Sequence, residues 1–282
     1  MKKVFLSLLA AGLLTACSND DNAFNGTPVE ETEMVTLNFS PYEQEAMTRA
    51  ATSISGIVTQ LDVWIYESGN EVAAVHQSSS DADFGSVSVE LNKTKTYTIY
   101  AIGHKAAGAA TLADGIIAFP DEKVSHAMFY TTTFTPATTT NINAVMTRIV
   151  CMFRFELADQ VPDEAYTMQI AIPSTFTRWN VNNTGTNAVD RTATFENFSR
   201  NANGTAVFNI YIIPPNLTVT DNIDITVTAL RSDNSVIETK TFEDVPIKAG
   251  YKTTYHGNFF VTTSTAATFQ VDDWSEFDTI EF

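Results

Sequence analysis

An all-β chain of two tandem antiparallel β-sandwich domains is what this sequence predicts, and three observations carry the prediction. Apolar and polar residues alternate with period two in run after run. Clusters of Gly, Asn, Asp and Ser separate the runs. No heptad and no short tandem repeat competes with this pattern. At 282 residues with 44% hydrophobic content, the chain is long enough to bury one or two sizeable cores.

The first sixteen residues read as an export signal. Lys2 and Lys3 precede an apolar stretch from Val4 to Leu14, and Leu14-Thr15-Ala16-Cys17 follows. The stretch is shorter than the roughly 20 residues needed to span a bilayer. A cysteine behind small residues matches a lipobox, so Cys17 is the expected lipidation site and new N-terminus. Ser18 to Asn22 then form a polar tether. Lipid on Cys17 is the expected membrane attachment. It leaves Cys151 without a partner, so no disulfide is expected within the chain.

The strands follow in order. Val35, Leu37 and Phe39 alternate with polar residues, as do Leu61, Val63 and Ile65. Val87, Val89 and Leu91 come next, then Tyr97, Ile99 and Ala101. In the second half, Ile149, Cys151, Phe153, Phe155 and Leu157 share one face. Met168 to Ile172, Phe208 to Ile212, Ile223 to Val227, and Phe269 with Val271 repeat the pattern. Turn signals stand at Ser68-Gly69-Asn70, Asn183-Thr184-Gly185, Asn203-Gly204 and Asp233-Asn234. From Gly103 to Pro136 the alternation fails. The small helix formers of Ala106 to Ala113 predict a short helical insertion there, with long loops around it. A boundary near residue 146 divides the chain into an N-terminal domain, 50–146, and a C-terminal domain, 147–282.

Composition narrows the function classes. The chain carries 33 acidic and 16 basic residues, a formal net charge of −17. Such a surface repels nucleic acid and anionic membranes. No two of His76, His104, His126 and His256 have ligand spacing, and no metal, phosphate-loop or nucleophile-elbow motif is present. Cys151 on an apolar face reads as a buried, inert thiol. The neighbouring acids Asp272-Asp273 and Glu243-Asp244 point to opposite faces of a strand, so they cannot converge on one cleft. No catalytic residue, metal ligand or cofactor is therefore expected.

Two features exceed what a plain sandwich needs. Arg49 lies in the small, polar stretch Ala46 to Ser53, which suits protease threading or an ordinary linker equally. The same Met-Thr-Arg triplet recurs at Met146-Thr147-Arg148, where Arg148 runs directly into an apolar strand. The C-terminus stays apolar to its last residue, with Phe277, Ile280 and Phe282 behind the strand Thr268 to Trp274. Such an end either closes its own sheet or enters a neighbour.

In this order the pieces resemble the fimbrillins, the subunits of type V pili. The lipobox at Cys17 is followed by a first strand, Val35 to Phe39, and by an arginine before small residues at Arg49. The run LDVWIYESGNEV from Leu61 and TYTIYAIGH from Thr96 come next. TRIVCMFRFEL from Thr147, VPIKAGYKTTYHGNFF from Val245 and the terminal ATFQVDDW complete the order. The resemblance implies Greek-key, transthyretin-like sandwiches and export as a lipoprotein to the outer membrane. It further implies cutting by an arginine-specific protease between Arg49 and Ala50. Loss of the first strand would open a groove, which the C-terminal tail of the next subunit (here Phe277, Ile280 and Phe282) would fill. Other fimbrial subunits, the protease and the membrane are then the expected partners, and a surface fimbrium is the expected destination.

The alternatives are a pilus anchor subunit that keeps its lipid, and a monomeric, lipid-anchored protein that binds glycans. The glycan reading would use Trp64, Trp179 and Tyr66, with Trp179 in a loop-like stretch. Packing roles compete for all three aromatic residues.

Overall fold

The computed structural model describes residues 31–42, 54–215, 217–261 and 269–273. Among them the chain forms seventeen strands and two single 3₁₀ turns. The first nine strands are β1 (Thr32–Pro41), β2 (Gln60–Glu67), β3 (Asn70–Ser78), β4 (Ser86–Asn92), β5 (Tyr97–His104), β6 (Thr111–Ala113), β7 (Ile116–Ala118), β8 (Ala127–Phe134) and β9 (Asn141–Arg148). The rest are β10 (Cys151–Leu157), β11 (Thr167–Asn180), β12 (Thr184–Glu196), β13 (Val207–Ile212), β14 (Asp221–Leu230), β15 (Val236–Ile247), β16 (Tyr251–Gly257) and β17 (Phe269–Asp273).

Seven strands form one sheet in the order β3-β2-β5-β8-β9-β1-β4. Its seam lies between β8 and β9, which pair at Met128–Arg148 and Phe129–Thr147. The two sides of the seam enclose a common core. Leu37, Val87, Ile142 and Ala144 come from one side; Leu61, Val63, Ile65 and Ile99 come from the other. These are the inward residues of each period-two pattern, as a half-buried strand requires.

The second core lies between two further sheets. One has the order β13-β10-β16-β17; the other runs β15-β14-β11-β7-β6, with β12 on the remaining edge of β11. Aromatic residues fill the space between them. The Phe155 ring lies 4.9 Å from Tyr255, 5.7 Å from Phe242 and 5.7 Å from Phe259. Such offset and edge contacts add to the gain from area burial.

A third cluster joins the two. Trp64, Ile102 and Phe129, from the outer face of the first sheet, meet Ile149, Val150, Met152 and Trp179. For this reason β2 is buried on both faces from Leu61 to Ile65. Alternation alone would have left Trp64 wet.

The expected helical insertion is not there. Residues 106–110 are irregular, and β6 and β7 form a hairpin in place of the helix. Its turn, Asp114-Gly115, has φ of 50° and 73°, the positive pair that suits right-twisted hairpins. A short Ala-rich run has too little helix propensity to resist tertiary packing. Here Ile117 is fully buried, and β7 adds to β11 opposite Arg178, Trp179 and Asn180. A single 3₁₀ turn at Pro120–Glu122 is the helical content of the segment. The later part of the same segment, through Phe134, is strand β8.

Candidate assembly site

Strand β1 is the element on which the sequence-derived assembly reading turns, and its local chemistry favours an extended chain. Val35, Leu37 and Phe39 alternate with Thr36, Asn38 and Ser40, which places these three apolar side chains on one face. Val35 and Leu37 are fully buried and Phe39 is 6% exposed. Both backbone edges are occupied. On one side Thr32 to Asn38 run antiparallel to Asn92 to Ser86. On the other, Thr36 to Pro41 run parallel to Asn141 to Met146. Thus β1 is an interior strand that fills the gap between β4 and β9.

The ends of β1 are tied as well. Phe39 donates its N–H to the Gly85 carbonyl at 2.8 Å, and Tyr42 donates to Met146 at the same distance. Gly85 has φ of 91°, and a Cβ there would meet Ile54 at 2.8 Å, so this close approach requires glycine. At the opposite end Lys93 pairs with Glu31 and Glu33, each at 3.4 Å. Hydrogen bonds to those two carboxylates raise the Lys93 ammonium above the ordinary lysine range.

Removing β1 would expose three large apolar side-chain sites, worth roughly 1.5–3 kcal/mol each. It would also strip hydrogen bonds from two neighbouring strands, at about 0.5–1.5 kcal/mol apiece. The total is comparable with the whole stability of an ordinary domain, about 5–15 kcal/mol. A chain lacking β1 therefore needs a substitute strand.

The C-terminal end contributes β17, an edge strand beside β16. Its Phe269 ring packs 6.0 Å from both Phe242 and Tyr255, while Val271 is 42% exposed. Just before this, the chain leaving β16 is gripped by Asp159. The Asp159 carboxylate accepts N–H bonds from Phe259 at 3.0 Å, Phe260 at 2.6 Å and Val261 at 2.9 Å. Nothing in the sequence singled out Asp159, because its partners lie about a hundred residues away.

Cys17, Arg49, Ala50, Phe277, Ile280 and Phe282 lie outside the described residues. The flanks of the Arg49 stretch are described: Tyr42 ends β1, and buried Ile54 opens the next turn. Arg148 of the repeated triplet is 8% exposed and donates from Nε to His126 Nε2 at 2.8 Å.

Other polar groups form internal networks. His76 and His104, far apart in sequence, both meet buried Asp62. His76 Nδ1 is 2.7 Å from Oδ1 and His104 Nε2 is 3.1 Å from Oδ2, while Ala110 N–H donates to Oδ2 at 3.0 Å. These are ordinary hydrogen-bond distances between a carboxylate and two imidazoles. Among the described residues no group of three or more His, Cys, Asp or Glu is arranged to hold a metal ion. Complete burial pushes the Cys151 thiol up to about 11, which leaves it protonated and unreactive at neutral pH.

The aromatic residues of the glycan reading divide. Trp179 lies within β11 and not in a loop; it is fully buried, 6.1 Å from Phe129. Trp64 is 7% exposed in the same cluster. Tyr66 is partly exposed and packs edge-on against Tyr100 at 5.7 Å. Hence neither tryptophan offers a platform to solvent, because the contact between the two cores consumes both.

No protein-family model and no curated protein matches the chain. Solved structures do. A candidate adhesin from Bacteroides ovatus superimposes with a TM-score of 0.53 at 12% identity, over 85% of this chain and 96% of its own. A candidate polysaccharide-binding protein from Bacteroides thetaiotaomicron gives 0.53 at 10% identity, over 87% and 99%. The fimbrial anchor protein Mfa2 from Porphyromonas gingivalis gives 0.48 at 12% identity, over 86% and 97%. The chain shares the fold of the Bacteroides ovatus and Bacteroides thetaiotaomicron structures. At such identities the likeness is one of fold, and it extends over nearly the full length of both solved chains.

Proposed function

We propose that the protein is a structural subunit of a cell-surface pilus and not an enzyme. On this reading it is exported with lipid on Cys17, held at the outer membrane, and cut after Arg49 by an arginine-specific protease. The mature chain begins at Ala50. Its two core-bearing parts, 50–146 and 147–282, act as tandem Greek-key sandwiches. Loss of β1 opens a groove between β4 and β9, and the tail of a neighbouring subunit, with Phe277, Ile280 and Phe282, supplies the replacement strand. Because each subunit gives at one end and receives at the other, the contact does not close on itself and a linear polymer grows.

The observation that carries this reading is the position of β1. It contributes Leu37 to the centre of the first core and pairs along both edges, yet it precedes the Arg49 stretch in the chain. A strand so placed can be severed from its domain without breaking any other described element. The shared fold and the candidate adhesins among its structural neighbours support the same class of role.

The test is the N-terminus and size of the protein recovered from cell surfaces, for wild type and Arg49→Ala. Mature chains starting at Ala50 within a ladder of high-mass species, both lost in the variant, are expected. A monomer still carrying lipid on Cys17 and indifferent to the substitution would overturn the assignment as a protease-matured, polymerising subunit.

A further inference from the structure

We propose that the open pocket at one end of the second core is a binding site for a neutral carbohydrate. The β10–β11 loop, the β12–β13 loop and the β14–β15 turn meet there and enclose about 350 Å³. That volume falls in the lower part of the roughly 300–1,000 Å³ range of small-molecule sites. Loops displayed on a rigid sandwich are a common place for recognition.

The lining is built and not incidental. Tyr166 is 42% exposed at the pocket, a large aromatic ring left partly in water. Its backbone is held on both sides: Tyr166 N–H donates to the Leu230 carbonyl at 2.9 Å, and Asn197 N–H donates to the Tyr166 carbonyl at 2.8 Å. Arg200 Nη2 donates to the carbonyls of Pro162 at 3.0 Å and Ala165 at 2.9 Å, with its guanidinium 5.6 Å from the centre of the Phe198 ring. Arg231 Nη1 donates to the Val236 carbonyl at 3.2 Å. Asp233 accepts from Ser235 Oγ at 2.7 Å and Ser235 N–H at 2.9 Å. Those bonds hold its carboxyl below the usual range, so it stays an ionised acceptor.

A half-exposed aromatic ring among fixed planar polar groups is the chemistry of sugar recognition. The ring face takes the C–H side of a pyranose. Carboxylate, amide and guanidinium groups accept from and donate to neighbouring hydroxyls in paired geometry. The pocket's acids, Asp163, Glu164 and Asp233, outnumber its bases, Arg200 and Arg231, and the chain as a whole carries −17. This balance selects neutral sugars over phosphorylated or sulfated ones. Unlike the glycan reading built on the tryptophans, this site uses none of the side chains spent on the contact between the cores. It is also independent of β1 and of assembly.

The experiment measures retention of neutral oligosaccharides of glucose, mannose, galactose and N-acetylglucosamine on the immobilised full chain, with heparin as the anionic comparison. At least one neutral probe should bind. Tyr166→Ala and Asn197→Ala should each weaken that binding roughly tenfold or more, whereas Tyr66→Ala at the distant aromatic pair leaves it unchanged. Urea unfolding of each variant confirms an intact fold, and exposed Asn197 supplies the answer if Tyr166→Ala fails to fold. Retention of no neutral probe, preference for heparin, or wild-type binding by a folded Asn197→Ala or Tyr166→Ala chain would overturn the site.

Discussion

Leu37 stands beside Ile142 in a parallel ladder, with both side chains buried in the first core. Residues so distant in sequence meet only because β9 returns to the place that β1 occupies. Leu37→Ala in the uncut chain should lower stability by about 2–5 kcal/mol, the usual cost of truncating a buried leucine. Urea unfolding measures it. The same substitution should leave a chain starting at Ala50 unaltered, since that residue has gone; a neutral result in the uncut chain would refute the burial of β1.

Asp159 predicts a second effect. Its carboxylate gathers three successive N–H groups, two of them from Phe259 and Phe260. Asp159→Ala leaves those donors unpaired, at about 1–3 kcal/mol for each one that water cannot reach. Asp159→Asn keeps one acceptor oxygen and should lose less. Amide hydrogen exchange at residues 259–261 should accelerate in both variants, more in the alanine one.

Buried His126 sets a pH dependence. Desolvation, with the nearby Arg148 and Lys105 charges, holds its imidazole well below the ordinary histidine range. The folded state therefore keeps His126 neutral where the unfolded chain, at about 6.5, takes up a proton. Its contribution to stability is fully present above that value and is lost as pH falls below it, with a slope of up to about 1.4 kcal/mol per pH unit. Stability compared between pH 7 and 5 should fall less steeply in His126→Gln than in wild type. An unchanged slope would exclude His126 as the cause.

Cys151 should be silent in the native protein. With its thiol pushed up to about 11 and no exposed surface, it should resist alkylation at pH 8 and react once urea unfolds the chain. Mass spectrometry of the labelled peptide distinguishes it from Cys17. Rapid native labelling would mean that β10 opens locally.

Proteolysis separates the two Met-Thr-Arg triplets. Brief trypsin treatment of the folded chain should release a product beginning at Ala50, while the bond after Arg148 survives. Arg148 is buried and bonded to His126, and its strand pairs with β1 along Asn141 to Met146. Equal cutting at both sites would contradict this protection.

Much of the fold is legible in the residues themselves. The alternation at Val35-Leu37-Phe39 and at Cys151-Phe153-Phe155 already states which side chains face a core. Between Gly103 and Pro136 the Ala-rich run favours a helix, which the packing of Ile117 in a hairpin overrides. In the sequence Trp64 and Trp179 admit two roles, and burial between the cores makes them packing residues.

By itself, then, the sequence determined the all-β class, the inward face of most strands, the buried thiol and the acidic surface. These follow from period, composition and local propensity, which need no distant partner. Only the tertiary structure decided that β1 lies between β4 and β9, that Asp159 grips residues 259–261, and that Tyr166 shares a pocket with Arg200 and Asp233. A period-two pattern tells a strand which face to bury and leaves its neighbours open. The choice of neighbour comes from long-range backbone pairing and shared burial, and those exist only when remote segments meet.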